Sequence, residues 1–236
     1  SRAASILGDQ VIDLYALAQG GYLKDVLADA EVLNQKTLNA FIALGKPVTN
    51  AVRQKIQALF SEENAAQKDL LSVYLIPVAD AEMLMPVHIS NYTDFYSSIE
   101  HATNVGKMFR PDNPLLPNWR WLPVGYHGRA SSIVVSGTSM RRPWGQIIPQ
   151  GRETPVYAPT QQLDFELEMA FVIGKNSELG QPIPIDKADE YIFGLLLFND
   201  WSARDIQRWE YVPLGPFLGK NFGSSVSPWI VPLEAL

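Results

Sequence analysis

Asp164-Phe165-Glu166-Leu167-Glu168-Met169-Ala170-Phe171-Val172-Ile173 alternates acidic with apolar residues and then runs apolar. Side chains of a strand point to opposite faces in turn, so the pattern predicts a β-strand with Asp164, Glu166 and Glu168 on one face. Same-face neighbours lie ~6 to 7 Å apart along a strand. At an effective dielectric near 20, each adjacent pair of carboxylates repels by roughly 2 to 3 kcal/mol when sheltered from water. Acids are also poor strand formers. Either the face is solvated or a cation sits over it, and oxygen ligands of this hardness select an ion of the calcium or magnesium kind.

Strands surround this segment on both sides. Ser132 to Gly137, Tyr191 to Phe198 and Val226 to Val231 read as further strands, and five of the six tryptophans lie between Trp119 and Trp209. Short strands divided by Gly and Pro turns predict an antiparallel sandwich or roll from Pro86 onward. Two short helices are expected within it, one capped by Thr93 or Asp94 and running through His101, the other capped by Ser202 and running through Trp209. Before Met85 the texture is different. A hairpin turning at Gly8-Asp9 precedes helical stripes at Leu38 to Leu44, capped by Thr37, at Val52 to Phe60, and from a Ser61 cap to near Tyr74. The predicted fold is therefore mainly β with α, as a supporting domain over 1–85 and a strand-rich second domain over 86–236.

Composition excludes several functions. The 236 residues are 47% hydrophobic and 19% charged, enough for a packed core. A net charge of -6 leaves no basic surplus for a phosphate backbone, so nucleic acid is not an expected partner. Cysteine is absent, which removes disulfides, thiolate metal sites and a cysteine nucleophile, and is compatible with a reducing cytosol. The apolar stretch Tyr191 to Phe198 is too short to span a bilayer, so no membrane partner is expected. Both ends read as cut from a longer chain, because it opens at Ser1 and stops at Leu236 inside an apolar stretch.

Chemistry-bearing residues fall into two groups. A helix starting near Asp94 would put Asp94 and His101, seven residues apart, on one face, with Tyr96 and Arg110 nearby. Such a pair suits an acid that holds a metal beside an imidazole that takes a proton from water. It equally suits an N-cap aspartate and a hydrogen-bonded histidine. Asp200 closes an apolar strand, where it is expected to face outward into a crevice, and the helix expected after it puts Arg204 and Gln207 on one side with Tyr211 beyond. An ordinary capped helix with a solvated face fits those residues as well. Lys220 follows Leu214-Gly215-Pro216-Phe217-Leu218-Gly219, and Gly223, Ser224 and Ser225 come next, without the spacing of a phosphate-binding loop. The stretch from Pro114 to Arg129, with Trp119, Trp121, Tyr126 and His127, walls a small-molecule pocket or simply packs.

Taken together, Asn91-Tyr92-Thr93-Asp94-Phe95-Tyr96-Ser97-Ser98, His101-Ala102-Thr103-Asn104-Val105-Gly106, Leu122-Pro123-Val124-Gly125-Tyr126-His127-Gly128-Arg129 and Asn199-Asp200-Trp201-Ser202-Ala203-Arg204-Asp205-Ile206-Gln207 closely resemble the fumarylacetoacetate hydrolase family. The resemblance runs from Gly8-Asp9-Gln10 to Val226-Ser227-Pro228-Trp229. It implies a small SH3-like barrel joined to a mixed β-sandwich roll that is truncated at its C-terminal side, and a homodimer in the cytoplasm. It implies hydrolysis of a carbon–carbon bond in a β-diketo acid, giving fumarate and acetoacetate at the end of tyrosine breakdown. By position, Asp94, Glu166, Glu168 and Asp200 are implied calcium ligands. Asp200, Lys220 and Ser224 match a magnesium or monovalent-ion site, where the family commonly has threonine in place of Ser224. Tyr96, Arg110, Tyr126, Gln207 and Tyr211 match substrate-binding positions. His101, Arg204, Gln207 and Lys220 match catalytic ones, and Asp164 is left as a solvent-facing or salt-bridged carboxylate. The family's chains continue past the equivalent of Leu236, and a fragment ending there is expected to be inactive. Alternatives are an acylpyruvate hydrolase or keto-acid decarboxylase or isomerase of the same family, and a non-catalytic calcium-binding β module.

Overall fold

The computed structural model describes residues 1–236, with the side chains of residues 65, 108 and 109 excepted. The chain opens with β1 (Ala4–Leu7) and β2 (Gln10–Asp13), the expected hairpin, and β3 (Leu75–Pro77) joins β2 antiparallel. These three strands form an open sheet in the order β1-β2-β3, with no barrel closed. The helices α1 (Leu14–Gln19), α2 (Asn39–Ile42), α3 (Lys46–Leu59) and α4 (Lys68–Ser72) cover it. Asp13 ends β2 and starts α1, its carboxylate accepting from Ala16 N at 2.9 Å. Leu17, Leu23, Leu33, Val52 and Leu71 are fully buried between helices and sheet, each stabilising the fold by roughly 1.5 to 3 kcal/mol. Phe193 from far along the chain packs into the same cluster.

Three helix starts in the first part of the chain differ from expectation. Leu38 rather than Thr37 flanks α2, with no side-chain cap bond. The stripe after Ser61 divides into a 3-10 turn (Glu62–Gln67) and α4, kinked at Asn64. Ser98, not Thr93 or Asp94, caps α5 (Ile99–Phe109) by accepting from His101 N at 3.2 Å. Asp94 lies instead on β4 (Thr93–Phe95), which pairs with β5 (Gly125–His127) in the register Asp94 to Tyr126. The predicted helical face shared by Asp94 and His101 does not exist. A partner strand some thirty residues away satisfies the Asp94 backbone, and local helical spacing yields to it.

The larger sheet contains β6 (Ile133–Val135), β10 (Leu167–Ile173), β11 (Ile192–Asp200) and β13 (Ser224–Val226) in the order β10-β11-β13-β6, with β14 (Val231–Pro232) also on β11. Two-stranded ribbons come before and after: β7 (Trp144–Ile147) with β8 (Val156–Pro159), and β9 (Leu163–Asp164) with β12 (Ser202–Ala203). Ser202 therefore sits in a strand, its hydroxyl donating to the Asp200 carbonyl at 3.0 Å. The following helix, α6 (Arg204–Glu210), starts after Ala203 without a side-chain cap. A short helix, α7 (Leu218–Asn221), completes the region. Ile133, Leu196, Phe198 and Val226 fill the core under the sheet, and Ile147, Ala203 and Ile206 fill one under α6.

Along β10, Glu168, Ala170 and Val172 turn inward, while Leu167, Met169, Phe171 and Ile173 are 49 to 70% exposed. Glu168 thus sits on the inner face. No described helix is long and apolar enough to cross a membrane.

Candidate metal centre and active site

The acidic alternation is interrupted at Phe165 and Glu166, which join neither β9 nor β10. The backbone stays tied through this break: Asp200 N donates to Glu166 O at 3.0 Å and Glu166 N donates to Asn199 Oδ1 at 3.3 Å. As a result the three acids of the motif take different partners rather than one shared face. Asp164 turns to the surface and accepts from Arg204 Nε at 3.0 Å. Glu166 lies between two cations, with Arg204 Nη1 at 2.6 Å and Lys220 Nζ at 2.7 Å. Glu168 turns inward.

Glu168 meets Asp94 from β4 and Asp200 from the end of β11, and one oxygen of each lies within 4.8 Å of the others. Three stretches far apart in sequence converge here. Oxygens around one cation at distances of ~2.3 to 2.6 Å must stand about this close together, so the donor set fits a hard dication. Asp200 is 1% exposed. Its Oδ2 accepts from Lys220 Nζ at 2.7 Å and from Tyr126 Oη at 3.1 Å, while its Oδ1 is buried with no hydrogen-bond partner among the described residues. An unpaired buried carboxylate oxygen is costly, and a cation held by the three acids would satisfy it.

Electrostatics report the same crowding. Burial, and then the charges of Asp94, Asp200 and Glu166, push the Glu168 carboxyl up to about 8. Burial also lifts Asp200, to about 6, against the opposing pull of Lys220. Glu166 goes the other way: burial raises it, but the Lys220 hydrogen bond and charge, with Arg204, outweigh burial and hold it low. Burial and the Asp200 charge raise the Tyr126 hydroxyl, so it keeps its proton and donates.

The remaining expected residues stand around this centre. Lys220, 5% exposed, is carried on α7. Gly219 allows the approach, because a Cβ there would lie 2.8 Å from the Gln207 backbone nitrogen on α6. The Lys220 ammonium serves as a counter-ion to Glu166 and Asp200; having no lone pair, it ligates no metal. Ser224 is buried and lies directly across from Asp200 in the β11/β13 register, on the same face. Tyr96 stacks edge-on against the His101 ring at 5.3 Å, and its hydroxyl reaches the His101 carbonyl at 3.5 Å. His101 is exposed in the first turn of α5, outside the carboxylate cluster. Arg110 ends that helix and donates to Pro114 O at 3.1 Å. Gln207 lies on α6, and Tyr211 follows it, half exposed.

Sequence spacing did not single out the double grip of Lys220, and it expected Asp200 to face outward, whereas its side chain is sealed inside. It assigned no role to Tyr92 either. The available signal was the apolar strand ending in Asp200, since a buried acid at a strand end needs a cationic partner.

Residues 1–86 match the family described as "Fumarylacetoacetase N-terminal", and residues 90–236 match "Fumarylacetoacetate (FAA) hydrolase C-terminal". The chain is 55% identical over 238 residues to a fumarylacetoacetase of Caenorhabditis elegans, covering 98% of this chain and 56% of that protein. It is 54% identical over 240 residues to the fumarylacetoacetase of Homo sapiens, covering 100% and 57%. The chain thus spans a little over half the length of the curated relatives it matches. Among solved structures, a putative HpcE protein from Mycobacterium smegmatis superposes with a TM-score of 0.55 at 19% identity, over 100% of this chain and 65% of the other. A fumarylacetoacetate hydrolase from Exiguobacterium antarcticum gives 0.51 at 19% identity, over 100% and 64%. At that identity the likeness concerns the fold.

Proposed function

Because the chain belongs to the fumarylacetoacetate hydrolase family, we propose that it is the metal-binding part of an enzyme that hydrolyses the carbon–carbon bond of 4-fumarylacetoacetate to fumarate and acetoacetate. The supporting observation is the convergence of Asp94, Glu168 and Asp200, with a sealed and unpartnered Asp200 Oδ1. These three, with Glu166 beside them, would hold Ca²⁺. A second cation, Mg²⁺ or a monovalent ion, is implied at Asp200, Lys220 and Ser224, and Lys220 can join it only through its main-chain carbonyl.

A dication held by these residues would supply Lewis-acid polarisation of the substrate carbonyl and help to orient it. The protein's own side chains move the protons and hold the charge. His101 takes a proton from the attacking water as its oxygen bonds to the carbonyl carbon. The carbon–carbon bond then breaks, its electron pair goes to the departing enolate, and the proton returns to carbon. Lys220 has three N–H donors, two of them on Glu166 and Asp200, which leaves one for developing negative charge. Arg204, fixed by Asp164 and Glu166, and Gln207 on the same helix add further donors. Tyr96, Arg110, Tyr126 and Tyr211 bind the substrate. The reading extends to a homodimer in the cytoplasm, to tyrosine breakdown, and to a division into domains 1–85 and 86–236.

The test is turnover of fumarylacetoacetate and of acylpyruvates by the protein carrying this chain, before and after chelation and on readdition of Ca²⁺. Turnover of fumarylacetoacetate that vanishes with chelation and returns with the ion is expected. Turnover indifferent to chelation, or confined to acylpyruvates, would overturn the assignment.

A further inference from the structure

Tyr92 lies just before β4, and its ring packs on Phe198 of β11 with centroids 5.2 Å apart. Its carbonyl accepts from Gly128 N at 2.9 Å. A Cβ at Gly128 would lie 2.0 Å from the Tyr92 ring, so that position admits the ring only as glycine. Packing alone would be served equally by phenylalanine. Yet the hydroxyl is buried and closes no hydrogen bond of normal geometry among the described residues. Gly128 thus stands opposite Tyr92, two residues along from the Asp94-to-Tyr126 pair, so Tyr92 and Tyr126 are diagonal neighbours on the face that carries Asp94, within reach of aromatic side chains. Tyr126 directs its own proton to Asp200 Oδ2 at 3.1 Å, which leaves its oxygen lone pairs open.

We propose that Tyr92 is a positioning residue: on cation binding its hydroxyl donates to the Tyr126 oxygen, and the two phenols in series hold Asp200 with Oδ1 turned toward the cation. The inference rests on the cation site proposed above and extends it outward by two residues. Buried hydrogen bonds in a chain reinforce one another, and partners behind a metal ligand fix its orientation. Tyr92 acts through Tyr126, so its effect disappears once the Tyr126 hydroxyl is gone.

The experiment is calorimetric titration of the chelator-treated protein with CaCl₂, for wild type, Tyr92→Phe, Tyr126→Phe and the double variant. Tyr92→Phe is expected to weaken Ca²⁺ binding roughly three- to tenfold, at or just below the low end of losses for groups directly behind a ligand, because Tyr92 stands one residue further out. Tyr126→Phe should weaken it at least as much, and the double variant no further than Tyr126→Phe alone. A merely structural Tyr92 predicts otherwise, since removing an unpaired buried hydroxyl leaves Ca²⁺ affinity unchanged. Unchanged affinity in Tyr92→Phe, or losses that add in the double variant, would overturn the proposal. So would failure of the isosteric Tyr92→Phe protein to fold, because a positioning role predicts a folded chain with a weakened site. Absence of Ca²⁺ uptake by the wild type would instead strike the cation site itself.

Discussion

Glu168→Gln should stabilise the metal-free protein while abolishing its response to a dication. Below the ordinary glutamate value of 4.5 both folded and unfolded chains hold the Glu168 proton, and the crowding costs nothing. As pH rises the unfolded chain ionises first, while the native chain keeps the proton until about 8, so stability is lost across that window. At 1.36 kcal/mol per unit the loss at pH 7 is on the order of 3 kcal/mol, and at pH 5 below about 1 kcal/mol. Glutamine has the same shape without the charge, so in the presence of chelator it should recover up to that amount. For a chain of this length that corresponds to a midpoint roughly 6 to 12 °C higher at pH 7, with little difference at pH 5. Added Ca²⁺ at a hundred times its Kd should stabilise wild type by about 2.7 kcal/mol and leave Glu168→Gln nearly unmoved. Differential scanning calorimetry at the two pH values, with chelator and with CaCl₂, reads all four quantities. A Glu168→Gln midpoint below wild type at pH 7 in chelator, with no narrowing at pH 5, would refute the crowding argument.

His101→Ala should lower turnover by about 10² to 10⁴, with the Ca²⁺-induced midpoint shift intact, because His101 stands outside the carboxylate cluster; loss of the thermal shift would contradict that placement. Lys220→Met strands Glu166 and Asp200 without their shared counter-ion and should cost about 3 to 5 kcal/mol in metal-free urea unfolding; a cost under ~1 kcal/mol would mean the pair is better solvated than its burial indicates. Gly219→Ala drives a methyl to within 2.8 Å of the Gln207 backbone; the expected reduction is of the order of 1 to 3 kcal/mol in stability together with reduced turnover, and wild-type values in both assays would show that α6 and α7 separate freely. Ile206→Ala empties a fully buried site under α6 and should cost about 2 to 5 kcal/mol by calorimetry.

Much of the architecture was legible in local pattern. The Gly8-Asp9 hairpin, the α3 stripe, and the strands β6, β10 and β11 follow from periodicity and turn residues. The acidic triplet correctly announced crowded carboxylates, although the cluster draws only Glu168 from it and takes Asp94 and Asp200 from elsewhere. That selection depends on the break at Phe165 and Glu166, which arises where β9 leaves for β12 and β10 stays on β11. Neither partner is visible within a few residues of the motif. Asp94 was misplaced for the same reason: a Thr-Asp pair before a helix looks like a cap until β5 claims it. The Val226 to Val231 strand divides into β13 and β14, which meet β11 at different points. Pairing over long separations, rather than propensity, decided each of these.

Lys220 sets one fixed positive charge against the three clustered acids Asp94, Glu168 and Asp200, while Arg204 is taken up by Glu166 and Asp164, so the donor set carries a formal charge of -2 when its three acids are ionised. A divalent guest brings it to neutrality, sodium or potassium leaves it half compensated, and a lanthanide overshoots. Valence selection here is therefore written by the lysine rather than by the width of the cavity, and competition between Ca²⁺ and La³⁺ would shift toward the lanthanide in any variant lacking that ammonium.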